Sequence, residues 1–221
     1  MNDGTKTNWQ DAALPSWYNK NMLGYEDMRR YAALFEFNSS DEVLDLGCGD
    51  GTFFTFAAPL VKTCTGVDVS EPQLKEARVK LDNFINISFV KSSFQDINFK
   101  EGSFTKISMR KALHHLNNDE KGVLIDKACK WLKPGGIFII EDLITSFALH
   151  RKEERKAQIE AEAARYYGER WPQLHDAFFT TLYKELPCDL AQLTHHLLFT
   201  GFCIRSVTSQ TCFMATVKAQ K

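Results

Sequence analysis

The stretch Val43-Leu44-Asp45-Leu46-Gly47-Cys48-Gly49-Asp50-Gly51 constrains this chain more than any other. A short apolar run opens directly into glycines at alternate positions. Glycine reaches positive φ without steric cost and lets another group approach the backbone closely. The pattern therefore predicts a strand, a tight bend and then a helix N-terminus whose free N–H groups border a ligand. Dinucleotide sites share that geometry, but their fingerprint wants its third glycine at position 52, where this chain has Thr52. Asp45 sits two residues before the first glycine, near the strand end. A carboxylate there repels a pyrophosphate and favours a cationic ligand without phosphate.

Strand and helix patterns alternate from about Asp41 onward. Helices are expected over Thr52–Leu60, Glu71–Leu81 and Asn118–Leu132, and strands over Glu42–Leu46, Thr63–Val69, Asn86–Val90, Thr105–Met109 and Ile137–Glu141. Ser70 is the expected N-cap of the second helix, with Pro72 in its first turn, and Lys133-Pro134-Gly135-Gly136 stops the third. A helix around Asp189–Phe199 and two strands, Cys203–Thr208 and Cys212–Val217 with a turn at Ser209-Gln210, finish the chain. Such alternation predicts a doubly wound α/β sheet. Two regions fall outside it. Residues 1–40 carry Trp9, Trp17, Tyr18, Tyr25 and Tyr31 and a helix over Tyr25–Phe37. Residues 146–188 are largely helical, charged at first and then rich in aromatics (Tyr166, Tyr167, Trp171, Phe178, Phe179, Tyr183).

Further segments fall in register with the glycine stretch: GVDVS at 66–70, ALHHL at 112–116 and LKPGGIFIIED at 132–142. Together they resemble the class I S-adenosylmethionine-dependent methyltransferases, strongly over residues 41–145 and more loosely over the last two strands. The resemblance implies a Rossmann-like, doubly wound, seven-stranded mixed sheet of order 3-2-1-4-5-7-6, with strand 7 antiparallel. It also implies S-adenosyl-L-methionine as cofactor and S-adenosyl-L-homocysteine as product. By position, Asp45 and the backbone of Gly47, Cys48 and Gly49 face the amino-acid part of the cofactor. Asp68 holds the ribose hydroxyls, Val69 packs on the adenine, and Phe94 and Gln95 border it. Ser93 stands where many members carry an aspartate toward the adenine amino group; its hydroxyl or Asp96 can substitute. The backbone around Arg110 and Lys111 passes the methionine end. One domain is expected: an N-terminal helical cap (1–40), a cofactor-binding core (41–145), a helical lid after strand 5 (146–188), and a final helix with two strands (189–221).

His114 and His115 follow strand 4 at the carboxyl edge, where such sheets hold their ligands. Each is a candidate general base or, alternatively, a hydrogen-bonded wall residue. Asp142 either orients a polar acceptor or caps a turn. The aromatics of 146–188 read as a lid over a small organic acceptor, as anchors to the domain, or as a homodimer face. Arg151–Lys156 mixes both signs, which suits a solvated helix face better than an RNA site. Where amino-directed DNA enzymes carry Asn-Pro-Pro-Tyr, this chain has Met109-Arg110-Lys111-Ala112. With 27 basic and 28 acidic residues, the net charge of −1 gives no global attraction to nucleic acid or anionic membrane. The six cysteines form no C-x-x-C pair and no finger spacing, so no metal site is expected. A polar N-terminus and short apolar runs predict a cytoplasmic protein without a membrane span. The functional expectation is methyl transfer from S-adenosylmethionine to an oxygen or nitrogen of a small molecule by in-line displacement. The alternatives are a tRNA or protein acceptor, a regulatory module that binds the cofactor without turnover, and, ranked last, a nicotinamide-dependent oxidoreductase.

Overall fold

In the computed structural model, which describes residues 25–221, β1 (Glu42–Leu46) occupies the centre of a seven-stranded sheet. Its position follows from its sequence: Val43, Leu44 and Leu46 are all fully buried, as a strand covered on both faces requires. It pairs in parallel with β2 (Thr63–Asp68) on one side and β4 (Phe104–Arg110) on the other. β3 (Ile87–Lys91) flanks β2 and β5 (Leu132–Asp142) flanks β4, both parallel. Of the last two strands, β8 (Cys203–Thr211) forms the edge and β9 (Met214–Gln220) lies antiparallel between it and β5. The order β3-β2-β1-β4-β5-β9-β8 is the one the sequence implied.

Alternation along the strands divides the core. Leu44, Leu46, Ile107, Met109, Phe138 and Ile140 face one layer, built on α4 (Asn118–Trp131) and α7 (Leu190–Phe199). Val43, Ile137 and Ile139 face the other, where α1 (Tyr25–Ala33), α2 (Phe54–Ala57) and α3 (Glu71–Lys80) pack with Tyr31, Phe35, Phe54 and Leu74. Local chemistry sets the helix starts. Ser70 caps α3 by accepting from the Gln73 N–H, and Asn117 with Glu120 forms a reciprocal capping box on α4.

Three boundaries depart from expectation. α2 is a single turn rather than Thr52–Leu60, because Asp50 takes both the N–H and the hydroxyl of Thr52 and holds the preceding residues in a turn. α1 stops at Ala33 rather than Phe37. Beyond it, Glu36 adopts positive φ, and Phe35 and Phe37 stack on each other and against Phe53. The final hairpin turns at Cys212-Phe213, not Ser209-Gln210: Phe213 is fully buried among the aromatics of residues 146–188. Tertiary burial therefore overrides turn propensity there. Trp9, Trp17 and Tyr18 lie outside the described residues.

Residues 146–188 form α5 (Lys156–Tyr167) and α6 (Trp171–Lys184). Two short strands, β6 (Ile144–Thr145) and β7 (Cys188–Asp189), pair in parallel and join the two ends of the insertion. Its aromatics build a core of their own: Tyr167, Trp171, Phe178 and Phe213 meet edge to face or stacked. No described helix is long and apolar enough to cross a membrane.

Candidate active site at the carboxyl edge

The strand order reverses at β1, between β2 and β4, so the crevice of the sheet opens at the C-terminal ends of these strands. The glycine bend lies there, with Gly47, Gly49 and Gly51 all at positive φ. A Cβ at Gly47 would lie 2.6 Å from the Cβ of Ala112 and 3.6 Å from the Phe94 ring, so only glycine lets the β1 and β4 loops approach this closely.

The bend's donors are turned inward. Gly47 and Cys48 both donate their N–H to the Val67 carbonyl (2.8 and 3.0 Å), and Gly49 donates to Asp68 Oδ2 (2.8 Å). These N–H groups are thus consumed by the end of β2. No cradle of amides is left at these three positions for a phosphate, and two carboxylates border the crevice instead. Asp68 also accepts from the Ser70 N–H at 2.8 Å. Burial raises its pKa, against those two hydrogen bonds. Asp45 is fully buried, accepts from Ser108, and is raised by desolvation to about 7. Cys48 is buried too, and its thiol is pushed far above the ordinary range, which makes it inert as a nucleophile.

Around the adenine position, Val69 is 40% exposed despite its apolar side chain, and Phe94 is half-buried beside Gly47. Ser93 gives its hydroxyl proton to Asp96 (2.7 Å) and accepts from the Asp96 N–H (3.1 Å), so the two candidate adenine acceptors form one local turn. Gln95 reaches across to Glu120 on α4 at 2.9 Å. Arg110 turns its side chain away from the bend. Its Nε donates to Glu141 Oε1 at 2.8 Å and a terminal nitrogen reaches Asp27, while Arg30 joins Asp27 and Glu141 from α1. Asp27, Arg30 and Glu141 were not singled out in the sequence. They meet because Arg110 and Glu141 are register partners on β4 and β5, beneath α1.

Beyond β4 the backbone enters a strained turn, with Lys111 at φ 52, and then a 3-10 turn over Leu113–His115. Lys111 is desolvated, and its pKa falls to about 8. Asp142 holds the turn in place. Its Oδ2 accepts from the N–H groups of Ala112, Leu113 and His114 (3.0, 2.6 and 3.2 Å), and its Oδ1 accepts from Leu143 N–H at 2.6 Å. Oδ1 also lies 2.5 Å from His114 Nδ1. On its other side His114 Nε2 meets Glu185 Oε2 at 2.9 Å, and His115 Nδ1 meets the same oxygen at 3.1 Å. Burial alone would lower the His114 pKa, but Asp142 and Glu185 outweigh it and raise it to about 10. Glu185 ends α6 and comes from the insertion, some seventy positions from the histidines. No local spacing could have signalled it. Of the predicted residues, the fold gathers Asp45, Gly47, Cys48, Gly49, Asp68, Val69 and Phe94 at the bend, and His114 and His115 on the neighbouring loop; Gln95 and Arg110 point their side chains elsewhere.

A glycine bend at the strand-order reversal, with an acidic residue closing the next strand, defines a Rossmann-like, nucleoside-binding class. Comparison with known proteins narrows it. A family model described as a methyltransferase domain matches residues 43–136. An uncharacterized methyltransferase of Synechocystis is 33% identical over 102 residues, 46% of this chain and 47% of that protein. A chain from the complex between the Haloferax volcanii Trm112 methyltransferase activator and a methyltransferase superposes with a TM-score of 0.69, at 14% identity over 98% of both chains. An S-adenosylmethionine-dependent methyltransferase from Mesorhizobium loti gives 0.63, at 19% identity over 89% of this chain and 96% of that one. Residues 43–136 thus match a methyltransferase domain, and the fold is one shared with S-adenosylmethionine-dependent methyltransferases. The chain spans about half the length of the curated relatives it matches. The residues present fit the family's cofactor: inward-turned amides and two carboxylates suit a ligand bearing an ammonium, a sulfonium and a ribose diol, and suit a pyrophosphate poorly.

Proposed function

We propose that this protein transfers a methyl group from S-adenosylmethionine to an oxygen or nitrogen of a small-molecule acceptor. One observation carries the reading. The insertion brings Glu185 onto His114 and His115 at the carboxyl edge, which supports reading α5 and α6 as a cover beside the crevice. Covering the edge this way excludes water and leaves room for a small acceptor rather than a polymer.

S-adenosylmethionine, when bound, supplies a methyl group already activated on a sulfonium. The chain's own residues do the rest. Asp68 grips the ribose, Asp45 faces the amino-acid part, and Val69 with Phe94 packs on the base. Ser93 and the backbone of Gln95 border that base, and the Arg110 backbone lines the methionine end. Holding an acceptor in line with the carbon–sulfur bond supplies up to ~7–11 kcal/mol through orientation alone. His114 carries its proton at neutral pH, so it positions rather than deprotonates. His115 Nδ1 lies 3.1 Å from Glu185 Oε2, and its Nε2 is the general base toward an acceptor hydroxyl or ammonium, worth ~100- to 10,000-fold.

The test is incubation with methyl-labelled cofactor and a metabolite extract, with mass spectrometry of the labelled product. A labelled small molecule supports the reading, and label found only in tRNA or protein overturns it. The second reading, a macromolecular acceptor, draws on the neighbour solved with its activator. It predicts tRNA or protein binding; for tRNA, affinity would fall steeply with salt.

A further inference from the structure

We infer that His114, His115 and Glu185 form a binding site for one first-row divalent transition-metal ion, set between the β4 loop and the insertion. The inference goes beyond methyl transfer itself and rests on three independent observations.

The first is the ligand geometry. His114 Nε2 and His115 Nδ1 both converge on Glu185 Oε2, at 2.9 and 3.1 Å, and one ligand atom from each of the three residues lies within 4.8 Å of the others. A cation about 2.0–2.2 Å from each ligand separates neighbours by about 2.9 Å at a right angle and about 3.3 Å at the tetrahedral angle. The ligand set is two imidazoles and one carboxylate. That donor set suits zinc, iron, cobalt or manganese rather than magnesium or calcium.

The second is the support behind the ligands. Metal-binding histidines commonly pass their other ring nitrogen to a carboxylate, which fixes ring orientation and tautomer. Asp142 meets His114 Nδ1 in this way, and is itself immobilised by four backbone N–H groups. The Glu185 side is held without any ion: Leu186 donates its N–H to the His114 carbonyl (2.9 Å), and the buried Lys121 amino group bridges the carbonyls of Leu116 and Leu186. A site so preorganised loses little freedom on loading.

The third is charge. Two carboxylates, Asp142 and Glu185, face this pair of rings, with side-chain exposures of 1% and 14%. A divalent cation with two neutral imidazoles balances them. Any proton on a ligating nitrogen leaves to solvent on loading. In the loaded site His115 is a ligand rather than the general base of the ion-free protein, and an acceptor hydroxyl or carboxylate bound to the ion would favour acceptors able to ligate a metal.

The test uses tag-free, chelator-stripped full-length protein titrated with Co²⁺ by visible absorption and with Zn²⁺ by dialysis and elemental analysis. One equivalent should bind, with cobalt d–d bands. His115→Ala and Glu185→Gln should each weaken binding tenfold or more, and Asp142→Asn by ~10- to 100-fold. Circular dichroism and S-adenosylhomocysteine calorimetry on the same samples report folding and the cofactor site separately. A wild-type protein that binds S-adenosylhomocysteine but takes up no more metal than Glu185→Gln overturns the metal site alone. Equal cobalt spectra in wild type and His115→Ala overturn it as well.

Discussion

The two sides of the carboxyl edge are built by opposite rules. On the β1–β2 side, the bend, the carboxylate that ends β2 and the helix cap after it fall within residues 43–73, and each acts on its neighbours. On the β4–β5 side, every working contact joins distant positions: Asp27 to Arg110, His114 to Asp142, and both histidines to Glu185. We propose that the first arrangement holds the cofactor and the second the acceptor, because an insertion can change without disturbing the bend.

The most severe test of this division is Gly49→Arg. A side chain at Gly49 meets only Gln73, no nearer than 3.8 Å, yet φ is 53. The bulk and charge of arginine enter the crevice, and S-adenosylhomocysteine affinity should fall by more than ~100-fold, about 2.7 kcal/mol. Unchanged affinity with an intact circular dichroism spectrum would remove the bend from the site. Of similar size, but on stability rather than affinity, is Asp142→Ala, which strips the partner from four backbone N–H groups and from His114. Urea titration should show a loss of about 3–5 kcal/mol. If the two sides are as separate as they look, folded Asp142→Ala protein still binds the cofactor product.

Asp68→Ala should weaken binding by ~1–3 kcal/mol through lost charge-assisted hydrogen bonds, read by calorimetry. A loss of protein stability without a loss of affinity would confine Asp68 to tying down Gly49. The smallest effect is a pH dependence. Burial raises Asp45 to about 7, and a ligand ammonium favours its charged form. Affinity should therefore rise with pH up to about 7, at most tenfold per unit, and level off above it; Asp45→Asn should flatten the profile. The stability linkage has the opposite sense. A carboxyl raised on folding contributes stability below about pH 4 that is lost as pH rises through about 7, so Asp45→Asn should be the more stable protein at pH 8.

How much of this the sequence revealed follows from the same contrast. Strand order, the bend and Asp68 were legible because glycine periodicity and strand-end carboxylates are local signals. The N–H groups of Gly47, Cys48 and Gly49 are taken by the Val67 carbonyl and Asp68, which nothing local signals. Asp142 was left between capping and acceptor contact, and the fold has it hold the 3-10 turn. Glu185 and the Asp27–Arg30–Arg110–Glu141 cluster had no signal at all, because charged residues at helix ends are ordinary and only packing decides which of them meet. The aromatics of 146–188 read in the sequence as a lid, as anchors to the domain or as a homodimer face. Their packing on Phe213 ties them to the final hairpin.

The central claim is that the bend between β1 and α2 holds an adenosyl ligand by its ribose and its cationic end, with no use for phosphate. Isothermal calorimetry with S-adenosylhomocysteine, repeated in the presence of NADH, tests it directly. One site per chain, with heat that NADH leaves untouched, is the predicted result; absence of heat, or displacement by the dinucleotide, contradicts it.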